Sequence, residues 1–177
     1  YEKFLEALKQ HVIEEYKQGH PFEEDVVVGP QVSKQQQEKI LSYLKAGKDA
    51  GARVILGGDV PSDEKLSKGF YIQPTIFADV TQDMTIVQEE IFGPVVSIAK
   101  FSTDEEAVKL ANDSNDGLGS ALFTSDITRA HTVAAELEAG MVWINSNSDS
   151  DVKLPFGGVK MSGYGRELGE YGLEHFT

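Results

Sequence analysis

The sequence has 177 residues, a formal net charge of -13 and no cysteine. A chain of this length buries roughly 70% of the surface its unfolded form exposes, enough for one domain. Its acidity argues against holding DNA or RNA by counterion release, and the missing cysteines exclude disulfides, thiolate metal sites and cysteine nucleophiles from these residues.

No apolar run approaches the roughly 20 residues of a membrane-spanning helix, so no membrane partner is expected. The opening Tyr1-Glu2-Lys3-Phe4 carries neither a basic nor an apolar leader region, and the chain does not start with Met. The expectation is an incomplete chain without a signal peptide.

In chain order, the first predicted helix runs from Glu2 to Lys17, with Phe4, Leu5, Leu8, Val12 and Ile13 on one stripe. Gly19 and Pro21 stop it. A second helix opens at Ser33, with Gln36 three residues on as a capping-box partner, and buries Ile40, Leu41 and Leu44 before ending near Gly47. Val54-Ile55-Leu56 reads as a strand closed by Gly57-Gly58, and the polar stretch 61–68 as a solvated loop. Phe70-Tyr71-Ile72 and Thr75-Ile76-Phe77 are β-rich, but Pro74 between them predicts an edge or interrupted strand.

A regular alternation follows. Val95 to Phe101 reads as a strand, and Ser102 with Glu105 caps a helix carrying Ala107, Val108 and Ala111. Asn115-Asp116-Gly117 turns into a strand from Ser120 to Phe123. Ser125 caps the next helix, with Ala130, Val133, Ala134 and Leu137 inward and Gly140 as its stop, and Met141 to Ile144 forms a third strand. This β-α-β-α-β pattern predicts an α/β fold with parallel strands and right-handed crossovers.

The segments able to carry chemistry lie past strand ends, where open parallel sheets place ligands. The third strand delivers Asn145 into a loop of small polar residues, 146–151, and on to Phe156-Gly157-Gly158. Paired glycines after an aromatic allow close backbone approach, to another segment or to a ligand. Gly163-x-Gly165-x-x-x-Gly169 misses the dinucleotide fingerprint by one position and follows no strand, so it is not read as a phosphate loop but as a turn into a short helix near Glu170 to His175. Glu89-Glu90-Ile91-Phe92-Gly93-Pro94 joins a polar segment to a buried strand, placing a carboxylate suited to sugar hydroxyls beside an aromatic suited to a flat ring. The plainer alternative is a solvated helix end and a Gly-Pro turn. The four histidines show no metal-ligand spacing, Asp149 and Asp151 read as solvated loop carboxylates, and Asn112-Asp113-Ser114 as a chance glycosylation triplet.

Taken in order, Gly29-Pro30-Gln31-Val32, the stretch 69–75, Gln88 to Pro94, Gly140 to Asn145 and Pro155 to Thr177 resemble the NAD(P)-dependent aldehyde dehydrogenase family over essentially the whole chain. The resemblance implies that residues 1–177 are part of one catalytic domain, beginning shortly after the catalytic cysteine and stopping before the strand used in oligomerisation. It implies an enzyme in which a thiolate adds to a small aldehyde, hydride passes to NAD or NADP, and a glutamate activates water to release the acid. That cysteine, the base, the oxyanion asparagine and the nucleotide-binding strands would lie in the remainder of the parent chain, so the segment alone is expected to be inactive.

By the same resemblance, Glu90 matches the carboxylate that hydrogen-bonds the nicotinamide ribose and Phe92 the aromatic that positions the nicotinamide. Gln36 and Lys39 match positions that reach towards the cofactor. Glu167 matches a buried carboxylate that relays protons, a role needing desolvation. Phe156 matches a wall of the aldehyde pocket, with Asn145 beside it. The loop 146–151 lacks the aromatics many members place at the tunnel mouth, which suggests a small or polar aldehyde. A homo-oligomer and a cytoplasmic location, with a mitochondrial one as alternative, are further implied.

Two rivals carry other expectations. A non-catalytic module that kept the fold for binding has no need to retain Glu90, Phe92 and Glu167 together. An acyl-phosphate reductase of the same superfold fits the Gly-Arg-Glu-Leu-Gly tail less well. A segment cut from its parent is also expected to expose apolar surface, with Met141 to Asn145 as a candidate open edge.

Overall fold

Residues 1–177, all described by the computed structural model, divide into two units, Tyr1–Lys100 and Phe101–Thr177.

In the first unit, helix α1 spans Glu2–Glu15 and buries Leu5. Phe4 and Ile13, expected on its inward stripe, are instead exposed. The helix stops before Lys17 because that residue's carbonyl accepts from the amides of Val27 and Val28. Helix α2, Lys34–Asp49, starts where expected, with the Ser33 hydroxyl accepting from the Gln36 amide, and buries Ile40 and Leu44. It then runs two residues past Gly47.

Three strands complete the unit: β1 (Arg53–Leu56), β2 (Thr75–Ala78) and β3 (Val95–Ile98), in the order β1-β2-β3. Of the edge or interrupted strand expected around Pro74, the interruption holds, since β2 begins only after it, and the edge does not. Strand β2 is central and fully buried, antiparallel to β1 and parallel to β3, with Thr75 opposite Val95 and Ala78 opposite Ile98. Pro74 sits just before the ladder, where its missing N–H leaves no ladder bond unmade. Burial on both faces suits the sequence Thr-Ile-Phe-Ala, and the buried Thr75 hydroxyl is satisfied, accepting from Gly58 N and donating to Gln73 O. Residues 70–72 form no strand, because their carbonyls are taken elsewhere, that of Phe70 by the Gln31 amide and the next two by side chains. Gln37 donates to Tyr71 O and Gln18 to Ile72 O. The core gathers Ile40, Leu44, Ile72, Phe77, Ile86 and Ile91, with the short helix α3 (Thr85–Gln88) crossing from β2 to β3.

In the second unit, helix α4 (Asp104–Asn112) is capped by Thr103, which accepts from Glu106 N, while the Glu106 carboxylate accepts from Ser102 N. Helix α5 (Ile127–Glu136) is capped by Asp126, which accepts from Arg129 N. Both caps lie one residue beyond the expected Ser102 and Ser125. At α5 an Asp cap adds a negative charge at the positive end of the helix dipole. Strands β4 (Asp116–Gly117) and β7 (Val159–Lys160) form a two-residue antiparallel ladder. Strands β5 (Gly119–Leu122) and β6 (Met141–Ile144) are parallel, with α5 as their crossover. A 3-10 helix, Tyr171–Phe176, replaces the expected terminal helix.

The class is α/β. The expected single β-α-β-α-β run resolves into two β-α-β modules, β2-α3-β3 and β5-α5-β6, since β3 already has β2 as its hydrogen-bonded neighbour. Consecutive strands pair preferentially, and α3 supplies the crossover that the sequence pattern did not reveal. No helix is long and apolar enough to cross a membrane.

Candidate functional site

The segment Glu89–Pro94 lies along α2. Ile91 is 8% exposed and belongs to the core around Ile40. Its neighbours Glu90 and Phe92 both face outward, Phe92 with 66% of its surface exposed. Phe92 holds a left-handed backbone (φ 56°), a conformation that costs a bulky residue about 1–3 kcal/mol and is retained only when the surroundings impose it.

Those surroundings are identifiable. Gln36 does not close the expected capping box; its side-chain Nε2 instead donates to the Phe92 carbonyl at 3.0 Å. Tyr43 Oη donates to the Glu89 carboxylate at 2.8 Å. Gly93 passes so near α2 that an added Cβ would lie 2.7 Å from Ile40, and the Pro94 carbonyl accepts from Thr75 N at 2.8 Å, joining the segment to β2. The Lys39 ammonium stands 5.9 Å from the centre of the Tyr43 ring. The Glu89 carboxylate hydrogen-bonded to the Tyr43 phenol, followed by desolvation, pushes that phenol above its ordinary 10.0. A hollow of about 380 Å³ opens beside Ile86, Glu89, Glu90, Phe92 and Ser97. The structure thus brings Gln36, Lys39, Glu90 and Phe92 to one region of the first unit. Tyr43, not singled out from the sequence, and Glu89 of the same motif belong with them. The spacing Gln36-Lys39-Tyr43 on one helix face was the available signal.

The second unit holds the other expected site residues. Asn145 also has a left-handed backbone (φ 57°). Its Oδ1 accepts from Thr124 N at 2.8 Å and its Nδ2 donates to Thr124 O at 2.9 Å, tying the ends of β5 and β6 together. The loop that follows is fastened by Trp143, whose indole N–H donates to Asp149 O at 2.6 Å, and Asp151 accepts from Lys153 N. Phe156 and Glu167 exchange backbone hydrogen bonds at 2.7 and 2.8 Å, so these two expected residues are direct neighbours.

An open cavity of about 620 Å³ is lined by Leu118, Trp143, Asn147, Ser150, Phe156 and Leu168. Phe156 therefore stands as a cavity wall, while the Asn145 amide is engaged with Thr124. Glu167, expected to be buried, is exposed in this chain, because its strand-like bridge turns only the backbone towards Phe156. The glycines after Phe156 serve another segment. A Cβ on Gly157 would lie 2.3 Å from the Gly165 carbonyl, and Arg166 Nη1 donates to Gly158 O at 2.6 Å and Gly165 O at 2.8 Å. No group of three or more His, Asp or Glu side chains could hold a metal ion.

This arrangement can present a carboxylate and a flat aromatic to one ligand, and an aromatic-walled cavity to another. A model of the aldehyde dehydrogenase family matches residues 1–177. An aldehyde dehydrogenase-like protein of Schizosaccharomyces pombe is 53% identical over all of this chain, which covers 35% of that protein. The betaine aldehyde dehydrogenase of Brucella melitensis is 46% identical over 99% of the chain and 36% of its own length. Among solved structures, the betaine aldehyde dehydrogenase of Staphylococcus aureus in complex with NAD+ matches with TM-score 0.94 and 42% identity, over 99% of this chain and 35% of that one. An NAD+ complex of an aldehyde dehydrogenase from Bacillus cereus matches with TM-score 0.93 and 45% identity, over 100% and 35%. The chain thus spans about a third of the length of its relatives, and throughout that span it belongs to the aldehyde dehydrogenase family.

Proposed function

We propose that residues 1–177 are the part of an NAD(P)-dependent aldehyde dehydrogenase that follows the catalytic cysteine. In this reading they supply the cofactor-facing segment and one wall of the aldehyde pocket within a larger catalytic domain. The observation that carries it is the Glu89–Pro94 segment, anchored by Ile91 and held on α2 so that Glu90 and Phe92 face outward.

The residues present fit the nicotinamide-ribose end of such a cofactor. An exposed carboxylate suits ribose hydroxyls, and an exposed ring with a fixed backbone suits a nicotinamide face. NAD(P), when bound, accepts the hydride. This chain's residues orient and bind: Glu90 accepts hydrogen bonds from the ribose, Phe92 limits where the ring can lie, and Gln36 holds Phe92 while Lys39 reaches from the same helix. Phe156 shapes the aldehyde pocket, Asn145 fixes the loop beside it, and Glu167 holds or passes a proton once the rest of the protein shields it from water.

The thiolate that attacks the aldehyde to give a thioester, and the base that activates water, are assigned to the remainder of the parent chain, since these residues include no cysteine. Betaine aldehyde in the names of the matched relatives and the loop 146–151, with no aromatic residue, support a small polar aldehyde as substrate. The family resemblance supports a cytoplasmic homo-oligomer.

The test is made in the intact protein. Glu90→Ala and Phe92→Ala should raise the KM for NAD(P) with little change in the KM for the aldehyde. An unchanged cofactor KM in both variants would remove the reading. Highest efficiency on long-chain fatty aldehydes would overturn the substrate assignment.

A further inference from the structure

The two acidic residues of this segment are adjacent, and the fold treats them differently. Glu89 is engaged by Tyr43, whereas Glu90 faces outward. We propose that Tyr43 is a positioning residue: with Gln36 it clamps Glu89–Phe92 onto α2 at both ends, so that Glu90 and not Glu89 is presented to the cofactor. This rests on the reading that Glu90 and Phe92 meet the cofactor.

The dimensions support a clamp. Gln36 and Tyr43 are seven residues apart, about 10.5 Å along a helix axis. Three extended Cα steps, Glu89 to Phe92, span about 10 Å. The segment runs opposite to α2, with Glu89 at Tyr43 and Phe92 at Gln36. Between the two donors on the same helix lies Ile40, fully buried, in one core with Ile91 and close against Gly93. Three successive contacts therefore fix the segment, with Ile91 buried and Glu90 and Phe92 exposed on either side of it. Without the phenol, the Glu89 end of the segment loses its anchor on α2 and Glu90 loses its fixed position. The Tyr43 ring also lies 5.9 Å from the Lys39 ammonium, one of the groups assigned to the cofactor side.

The experiment uses the intact protein and steady-state kinetics. Tyr43→Phe removes one O–H and keeps the ring. It should raise the KM for NAD(P) about three- to tenfold, the range for losing one exposed hydrogen bond, with kcat at saturating cofactor and the KM for the aldehyde unchanged. Glu89→Ala should match it, and the double variant should be no worse than the larger single one. Glu89→Gln, whose amide oxygen still accepts, should recover most of the loss.

An unchanged cofactor KM in Tyr43→Phe, alongside a raised one in Glu90→Ala, would overturn the clamp and leave the cofactor reading standing. Additive effects of Tyr43→Phe and Glu89→Ala would also overturn it, as would a loss of melting temperature with both KM values moving together. No effect of Glu90→Ala or Phe92→Ala would remove the cofactor reading and the clamp with it.

Discussion

The two units of this chain are held together by different means. In Tyr1–Lys100, a central strand buried on both faces collects a core from α2, α3 and the strand-less segment 70–72. In Phe101–Thr177 only Val108 and Ala130 among the apolar residues are buried, while Phe123, Val152, Met161, Tyr164 and Phe176 are each more than two-thirds exposed. What orders this unit is directional. Arg129 pairs with Asp104, Asn112 donates to Glu136 O and accepts from Glu138 N, Asn145 brackets Thr124, and Arg166 holds the glycine turn. Polar fasteners at the surface define geometry but add little stability, so they fix a shape without supplying the stability of a core. The first unit is built to hold a site still; the second offers apolar surface suited to being covered by other parts of a larger protein.

Four substitutions test that contrast, starting with the largest effect. Phe77→Ala, at the fully buried centre of β2, should cost about 3–5 kcal/mol and shift the denaturant midpoint of the first unit. A loss below about 1 kcal/mol would mean that the first unit lacks the core described. Asn145→Ala removes both bonds to Thr124 and should cost about 1–2 kcal/mol. Amide exchange should accelerate around the ends of β5 and β6 but not in β2, and uniform acceleration across both units would dissolve the distinction between them.

The smallest effect concerns acid. The Arg129 guanidinium hydrogen-bonded to Asp104 holds that carboxyl below its ordinary 3.8, so its contribution is complete above that value and is lost as pH falls through the lower folded value. Arg53, with Lys100 as the lesser partner, does the same to Asp79 in the first unit. Both pairs are exposed and screened by salt. Asp104→Asn should therefore flatten the acid sensitivity of the α4–α5 region slightly, and more at low ionic strength, as followed by NMR chemical shifts during an acid titration. A larger acid response from Asp79→Asn than from Asp104→Asn would reverse the ordering, since the first unit has its core to fall back on.

How far the sequence disclosed this depends on which interactions decide each element. Ser33 with Gln36 located the start of α2, and the apolar spacing located its buried face, because both signals are local. The same local logic put Gln36 in a capping box, and there the carbonyl of Phe92, 56 residues away, took its side chain. Pro74 suggested an edge or interrupted strand; it does interrupt the run before Thr75, but tertiary burial placed β2 at the centre. Phe4 and Ile13 fitted a helical stripe yet found nothing to cover them in this chain. At the site, Glu90 and Phe92 were identifiable from a motif, and the structure adds why they face outward. Tyr43 was overlooked because its partner, Glu89, lies 46 residues on. Glu167, expected to be buried, is exposed, because its pairing with Phe156 is through the backbone alone.

The central claim is that this chain carries a cofactor-facing segment and a pocket wall but not the nucleophile. The most direct measurement is hydride transfer by purified residues 1–177, followed as NADH or NADPH absorbance with betaine aldehyde and a short aliphatic aldehyde. The account predicts no turnover above the uncatalysed background. Turnover at the rate of an intact dehydrogenase, in a sample whose mass shows this chain alone, would contradict it.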